Sequence, residues 1–414
     1  MTSPDTRIEP VTGERERLGL TPNLWRLAIV IGMAQFAMSI WTWRYAIFIE
    51  PILTGEYQMS LTFVAGTMAA LIGYLASGMI SDVIGRRKTM TVAFVPMILG
   101  LVLTFAIPVW PWLPFAYALI SLGWSFILII SRAMPADIIA AEKSINPARK
   151  FTMVLMPAFF VDGVCPVTAG VLITLGLDPV YLMLFGAVGA MVAMAATPLV
   201  IKESLSVEIR TEAKQAGVVS IRGLGFNFWV LVAGMMPFYF TFGMAIQYLG
   251  PLCVNEWAVS DAVYGATWSA FSLTSVVVMH SASGIADRNK SRALLAAVVL
   301  NGVVYLLFSY GSGWLAMLLL NVFWAFPLML WIGAERSLIV EGVGRERQGR
   351  ALGTFQLLMS STNLLAPVVG QAVYMASGSY RYLYGLSGVL NILTVTGVVA
   401  ALRVRRPGAT EGHP

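Results

Sequence analysis

The sequence predicts an all-α membrane protein with twelve transmembrane helices in two pseudo-symmetric bundles of six. Three observations support this prediction: the chain is strongly apolar, long apolar segments alternate with short polar ones, and the two halves of the sequence repeat each other. Of the 414 residues, 58% are hydrophobic and only 12% are charged, and the mean hydropathy is +0.77. A soluble domain carries about 25% charged residues, so this composition excludes a soluble enzyme.

Twelve apolar stretches are each long enough to cross the hydrocarbon core of a bilayer as a helix. A helix is expected for each of them, because the bilayer interior offers no water to the backbone polar groups. The predicted spans cover residues 24–48, 61–81, 89–108, 112–134, 151–176, 179–200, 226–252, 262–283, 292–310, 314–334, 351–377 and 382–402. Residues 1–23 are polar and do not resemble a signal peptide, so we expect them to form a short tail.

The basic residues predict the orientation of these spans. If the N-terminus is cytoplasmic, 25 of the 27 Lys and Arg residues lie on the inner side, and only Arg44 and Arg381 lie toward the outside. This asymmetry follows the positive-inside rule. We therefore expect a multi-pass protein of the plasma membrane, or of the cell inner membrane if the source is bacterial, with both termini in the cytoplasm. The charges alternate with the spans and form no groove, so no nucleic-acid partner is expected.

The longest inner loop separates six spans from six. The predicted organisation is a cytoplasmic tail over residues 1–23, a first bundle over 24–200, a cytoplasmic linker over 201–224, a second bundle over 225–402 and a C-terminal tail over 403–414. We expect the protein to be a monomer in the lipid bilayer.

The two halves share a pattern of polar residues and prolines. The corresponding positions differ by 205, 204 and then three times by 201 residues. The pairs are Asp82 and Asp287, Arg132 and Arg336, Arg149 and Arg350, Asp162 and Asn363, and Pro166 and Pro367. Duplication on this scale is typical of secondary transporters, which bind their substrate between the repeats near the midplane of the membrane.

Two inner loops carry a resemblance to a known family. The loop after span 2 reads Asp82-Val-Ile-Gly85-Arg86-Arg87, and with the six-plus-six arrangement it makes the whole chain similar to the major facilitator superfamily. The segment from Arg132 through Glu142 to Arg149 also resembles the inner loop of sugar and metabolite–proton symporters. The resemblance implies alternating access and a cavity lined by spans 1, 4, 7 and 10. It also implies that the cluster around Asp82 stabilises the outward-open state.

Charged residues and glycines at the inner helix ends are therefore candidates for a gate. Opposite charges there can hold one state together and separate in the other. The alternative is a set of ordinary interfacial charges that only orient the protein, each pair contributing about 0–1 kcal/mol. The candidates are Asp82, Gly85, Arg86, Arg132, Glu142, Arg149, Asp287, Arg336 and Arg350.

Asp162 is the only acid that the sequence places near the middle of a span. It lies thirteen residues beyond Arg149, which corresponds to a rise of about 19 Å along a helix. Burial away from water disfavours its ionised form, so it is a candidate for taking up and releasing a proton. The alternative is an acid that is paired for packing or held permanently neutral.

Several polar and aromatic residues inside the spans are candidate substrate contacts. Arg44, in the outer half of span 1, would attract an anion if it lay in the cavity; alternatively it extends to the interface among the neighbouring aromatic residues. An aromatic residue at helical spacing more often packs than binds a ligand. The other candidates are Gln35, Tyr117, Trp124, Tyr239, Gln247, Asn321, Gln356 and Asn363.

These features favour a secondary transporter that moves a small organic solute, coupled to protons through Asp162. An anionic metabolite is favoured because of Arg44. The alternatives are a drug/proton antiporter that exports lipophilic compounds, a uniporter, and a non-transporting solute sensor. The sequence has no phosphate-binding loop motif and no His, Cys, Asp and Glu cluster with metal-ligand spacing. We therefore expect no enzymatic activity, no cofactor and no metal, with protons and a small molecule as the ligands.

Overall fold

The computed structural model describes residues 20–55, 57–141, 147–204, 224–340 and 348–404. Within these ranges the prediction of an all-α fold is confirmed, with a helix at each of the twelve predicted positions. The helices are α1 Pro22–Ser39, α2 Gln58–Ile84, α3 Arg86–Ala106, α4 Trp112–Ala141, α5 Pro147–Thr174, α6 Tyr181–Val200, α7 Gly225–Ile246, α8 Asp261–Arg288, α9 Lys290–Tyr310, α10 Gly313–Val340, α11 Gln348–Thr362 with Ala366–Ser377, and α12 Tyr380–Leu393 with Val395–Val404. Most of the predicted linker and tails lies outside the described residues, so those boundaries stay predictions.

Ten stretches of the described chain are long and apolar enough to span a membrane, which supports a multi-pass membrane protein. The other two predicted spans correspond to α8 and α11. Helix α8 is rich in serine and threonine, including the buried Thr267, Ser269 and Ser272. Helix α11 is interrupted after Thr362, which leaves two pieces that are each too short to cross a bilayer alone.

The helix contacts repeat between the two halves. In the first half α2 packs on α4, α3 packs on α4 and α6, and α1 packs on α5 and α6. In the second half α8 packs on α10, α9 packs on α10 and α12, and α7 packs on α11 and α12. Each contact in the second set matches one in the first after a shift of six helices. The predicted internal repeat is therefore visible in the packing.

Among the twelve long helices of the described chain, two pairs join the halves: α5 with α8, and α2 with α11. In the first pair the backbones approach closely at glycines. A Cβ atom added to Gly265 of α8 would lie 2.2 Å from the carbonyl oxygen of Pro166 in α5. A Cβ added to Gly170 of α5 would lie 2.7 Å from the carbonyl oxygen of Asp261. Close approach at small residues is a common way for membrane helices to associate.

The repeated prolines act differently in the two halves. Proline has no N–H to bond the carbonyl four residues earlier, and α11 breaks between Thr362 and Ala366, directly before Pro367. In α5 the equivalent Pro166 leaves the helix continuous. There the hydroxyl of Ser269, on α8, accepts a hydrogen bond of 3.0 Å from the Val167 N–H.

The bundle has two ends, which we name by their charges. The basic end carries Arg86, Arg132, Lys202, Arg288 and Arg336, and the opposite end carries Glu50, Asp178, Glu256 and Asp261. At the basic end α2 turns into α3 through one residue, Gly85, whose φ is 102°. Only glycine adopts that conformation without a steric penalty, so Gly85 makes this short turn between two long helices possible.

Candidate functional site

A cavity of about 340 Å³ lies between the two halves. Its lining comes from α1, α4 and α10, as the family resemblance implied, and also from α5. Predicted contacts Gln35 and Trp124 line it, as does Asp162. No residue of α7 is part of this lining. The volume lies within the range of pockets that bind small molecules.

Two arginines lie where the cavity meets the basic end. Arg132 comes from α4 in the first half, and Arg336 comes from α10 in the second half. Arg336 is exposed, and among the described residues the cavity extends to this end. In the part of the chain that the structure describes, neither guanidinium group forms a salt bridge.

Asp162 lies at the other extreme of the cavity, where its carboxylate accepts hydrogen bonds from neutral donors. Oδ1 accepts from the hydroxyl of Ser39 and, at 3.3 Å, from Nε2 of Gln35, both on α1. Oδ2 accepts a bond of 2.8 Å from the hydroxyl of Ser272, which belongs to α8 in the second half. A single carboxylate therefore connects α5 to α1 and, across the interface between the halves, to α8.

The opposite end of the bundle is closed by polar contacts between the halves. Arg44, after α1, forms an ion pair with Asp261 at the start of α8, with N–O distances of 2.5 and 3.1 Å. Glu50 accepts hydrogen bonds from Asn255 at 2.6 Å and from the hydroxyl of Tyr380 at 2.8 Å. The cavity thus reaches the basic end while the opposite end is sealed.

A second buried acid, Glu335 of α10, is not among the residues predicted from the sequence. It is 6% exposed, and its carboxylate accepts a hydrogen bond of 2.8 Å from the Tyr239 hydroxyl and one of 2.9 Å from Nε1 of Trp331. The predicted span ends at residue 334, one residue before Glu335. Because α10 continues to Val340, this acid lies inside the bundle.

No profile of a protein family matches the sequence. Solved transporter structures superpose on nearly the whole chain. A mutant of the nucleoside transporter NupG gives a TM-score of 0.76 at 11% identity and covers 91% of this chain and 99% of its own. The chain has the major facilitator superfamily fold. A D-xylose–proton symporter gives a TM-score of 0.65 at 15% identity and covers 92% of this chain and 95% of its own. The human organic anion transporter MFSD10 (TETRAN) gives a TM-score of 0.63 at 15% identity and covers 91% of this chain and 99% of its own.

Part of the predicted gate of this major facilitator fold lies outside what the structure describes. Glu142 falls in an undescribed segment, and nothing is described of the side chains of Asp82, Arg149, Asp287 and Arg350. Their gating role stays a prediction. Arg132 and Arg336 were grouped with them from the sequence, and the structure shows that both line the cavity.

Arg86 belongs to a polar network at the basic end of the first half. Its side chain pairs with Asp137 of α4 at 3.2 Å, and its backbone N–H donates to Glu203 at 2.9 Å. Glu203 also accepts from the Arg87 N–H at 3.3 Å, so this carboxylate caps the N-terminus of α3. The network joins α3, α4 and the end of α6, and neither acid was predicted as a partner of Arg86.

The remaining predicted substrate contacts are not among the residues that line this cavity. Arg44 lies in the ion pair at the sealed end, and Tyr117 stacks on Tyr45 with ring centroids 4.7 Å apart. Asn321 donates to the Met317 carbonyl within its own helix, at 2.9 Å. Of the others, Tyr239 donates a hydrogen bond to Glu335 and Gln356 donates one to Ser360. Gln247 follows the end of α7, and Asn363 lies at the break in α11.

Proposed function

We propose that the protein is a secondary active transporter that moves a small organic anion across the membrane by alternating access, coupled to protons through Asp162. The observation that carries this proposal is the cavity between the two halves, sealed at one end, with two arginines at its mouth and a carboxylate at its depth. The basic end faces the cytoplasm, in keeping with the positive-inside rule. The described conformation is then inward-facing.

The two groups of six helices would rock against each other along the α5–α8 and α2–α11 contacts. Binding sites between repeats near the midplane are typical of such transporters. In the outward-facing state the ion pair between Arg44 and Asp261 separates, and the cavity closes at the basic end. Arg44 thereby acts as a gate and not as a substrate contact.

Asp162 can couple this motion to a proton because its carboxylate joins the halves. Ionised, it accepts the Ser272 hydroxyl of α8 together with Ser39 and Gln35 of α1. A protonated carboxyl carries one donor and has less acceptor capacity. Uptake of a proton therefore weakens the connection between α5 and α8 and favours their rearrangement.

Reconstituted protein tests the proposal. Thermal unfolding against carboxylates, sugars, nucleosides, amino acids and lipophilic cations first identifies ligands, because a ligand at 100 times its Kd adds about 2.7 kcal/mol to stability. A stabilising solute is then offered to proteoliposomes with an imposed pH gradient. We expect accumulation that collapses with a protonophore. Exchange and accumulation both absent for every stabilising solute would contradict the proposal.

A second candidate function is export of lipophilic cations in exchange for protons. It is favoured by the apolar part of the cavity wall, which includes Ile127, Leu155 and Phe159, together with Asp162 as a counterion. Stabilisation by lipophilic cations alone, lost in Asp162→Asn, would select this function. Stabilisation by anions would exclude it.

The ion pair at the sealed end gives a first prediction. Arg44→Asp alone places two carboxylates opposite each other. We therefore expect the sealed end to open and the fraction of molecules in the inward-facing state to decrease. The double variant Arg44→Asp/Asp261→Arg should restore the balance. Accessibility of a cysteine at Tyr264, which packs against Trp43 with ring centroids 5.4 Å apart, measures the change. Equal labelling of the single and double variants would show that this pair does not seal the end.

A further inference from the structure

The cavity has a charge and polarity gradient that points to one class of substrate. We infer that the transported anion is an amphipathic monocarboxylate, with its carboxylate between Arg132 and Arg336 and its apolar body, aromatic or aliphatic, deeper in the cavity. The inference rests on the proposed function and specifies the ligand of that same site.

The head-group site consists of two arginines, one from each half. Their positions are equivalent in the internal repeat, 204 residues apart, and both side chains line the cavity. Neither forms a salt bridge in the described part of the chain. Arginine presents a planar set of donors that matches a carboxylate in bidentate geometry. An anion between them would therefore bring a counterion to two guanidinium groups that form no salt bridge among the described residues.

The wall beyond the arginines is apolar. On α10 the lining runs from Arg336 through Ile332 to Met329, and on α5 it includes Leu155 and Phe159. Arg336 lies seven positions beyond Met329, which is about 10 Å of helix. Polar solutes such as sugars would lose their hydrogen bonds to water along this wall without gaining equivalents. An apolar body suits this part of the cavity.

The far end of the cavity disfavours a second negative charge. Asp162 lies there with Gln35 and Trp124. A dicarboxylate of matching length would place its second carboxylate against that of Asp162, and like charges at close range repel in a site of low polarity. A substrate with a single carboxylate avoids this repulsion, and a hydrogen-bond donor at its far end is compatible with Asp162.

The same arrangement explains how the substrate would promote closure. Arg132 and Arg336 belong to opposite halves, so closing the basic end brings two positive charges together. A carboxylate bound between them supplies the counterion in the closed state. A ligand shifts a conformational equilibrium only by its differential affinity for the two states, and this arrangement provides one.

The test is ligand binding to purified full-length protein, measured by thermal unfolding and by titration calorimetry. The probes are phenylacetate, 3-phenylpropionate, 4-phenylbutyrate and octanoate, each paired with its amide, together with suberate, the dicarboxylate that matches octanoate in length, and D-xylose. We expect the monocarboxylates to bind and their amides and suberate to bind more weakly. Arg132→Gln and Arg336→Gln should each reduce carboxylate affinity by roughly 10–100-fold, since a hydrogen-bonded charge is lost.

Arg288→Gln is the matched control, because Arg288 is exposed at the same end but outside the cavity lining. It should leave affinity within about twofold of the parent, a difference well below 1 kcal/mol. If no monocarboxylate binds better than its amide, or if Arg288→Gln reduces affinity as much as the cavity variants, the inference is overturned. Should D-xylose or another uncharged solute bind and be transported instead, the substrate class fails while the proposed transporter stands. Should no solute be transported at all, the proposed function itself fails.

Discussion

Asp162→Asn is expected to abolish proton-driven accumulation while leaving solute exchange measurable. The substitution keeps the shape of the side chain and an oxygen that can accept the two hydrogen bonds from α1. The amide NH2 in place of Oδ2 cannot accept the Ser272 hydroxyl and carries no exchangeable charge, so the variant resembles a carboxyl fixed in one protonation state. With one proton per anion, a gradient of about two pH units supports an accumulation of about 100-fold, because each tenfold ratio corresponds to 1.4 kcal/mol. In the variant this ratio should fall to that of passive equilibration.

Proteoliposomes loaded with unlabelled solute measure both activities in one preparation. Asp178→Asn is the control, because Asp178 is an exposed acid at the opposite end of the bundle. It should accumulate solute like the parent. If Asp162→Asn still accumulates solute against its gradient, Asp162 has no part in proton coupling. If exchange is lost as well, binding and unfolding measurements distinguish a damaged site from a misfolded protein.

Gly265→Ala is expected to shift the protein toward the outward-facing state. The added Cβ would lie 2.2 Å from the Pro166 carbonyl oxygen, and two backbones must separate to admit it. Overpacking of this kind costs about 1–3 kcal/mol, which changes a two-state equilibrium by roughly 5–150-fold. The strain is present only while α5 and α8 are in close contact near the opposite end.

Labelling of a cysteine at Ser269 measures this shift. Ser269 is 4% exposed and lies one turn deeper on α8, and the native Cys165 and Cys253 are replaced by serine in the background. Gly265→Ala should increase the labelling rate. Gly353→Ala is the matched control, because a Cβ there meets no atom within 4 Å. Unchanged labelling in folded Gly265→Ala protein would mean that the α5–α8 contact does not open.

The sequence predicted the helices well because the length of an apolar stretch reflects the thickness of the hydrocarbon core that a helix must cross. The predicted lengths of α4 and α10 are too short at the basic end. The predicted spans stop at residues 134 and 334, but the helices reach Ala141 and Val340. Charged residues normally mark the end of a span. Here Arg132 and Arg336 line a cavity, and the carboxylate of the buried Glu335 accepts hydrogen bonds within the bundle. The helices therefore continue past these charged residues.

Side-chain partners were harder to predict than side-chain depth. Asp162 was recognisable as a lone acid in an apolar stretch. Its partners Ser39 and Ser272 were not, because serine is common in membrane helices and its neighbours depend on tertiary packing. Arg44 shows the same limit: its partner Asp261 is 217 residues away in sequence, and no local pattern connects the two. The predicted cavity contact and the observed ion pair differ for that reason.

Alternating access is the central claim, and distances between spin labels at the two ends of the bundle test it most directly. Exposed positions in the first and second halves are Leu199 with Arg292 for the basic end, and Leu175 with Tyr310 for the opposite end. Addition of a transported solute at acidic pH should shorten the distribution for the first pair while that for the second lengthens. Distances that stay fixed, or that change in the same direction at both ends, would contradict the account.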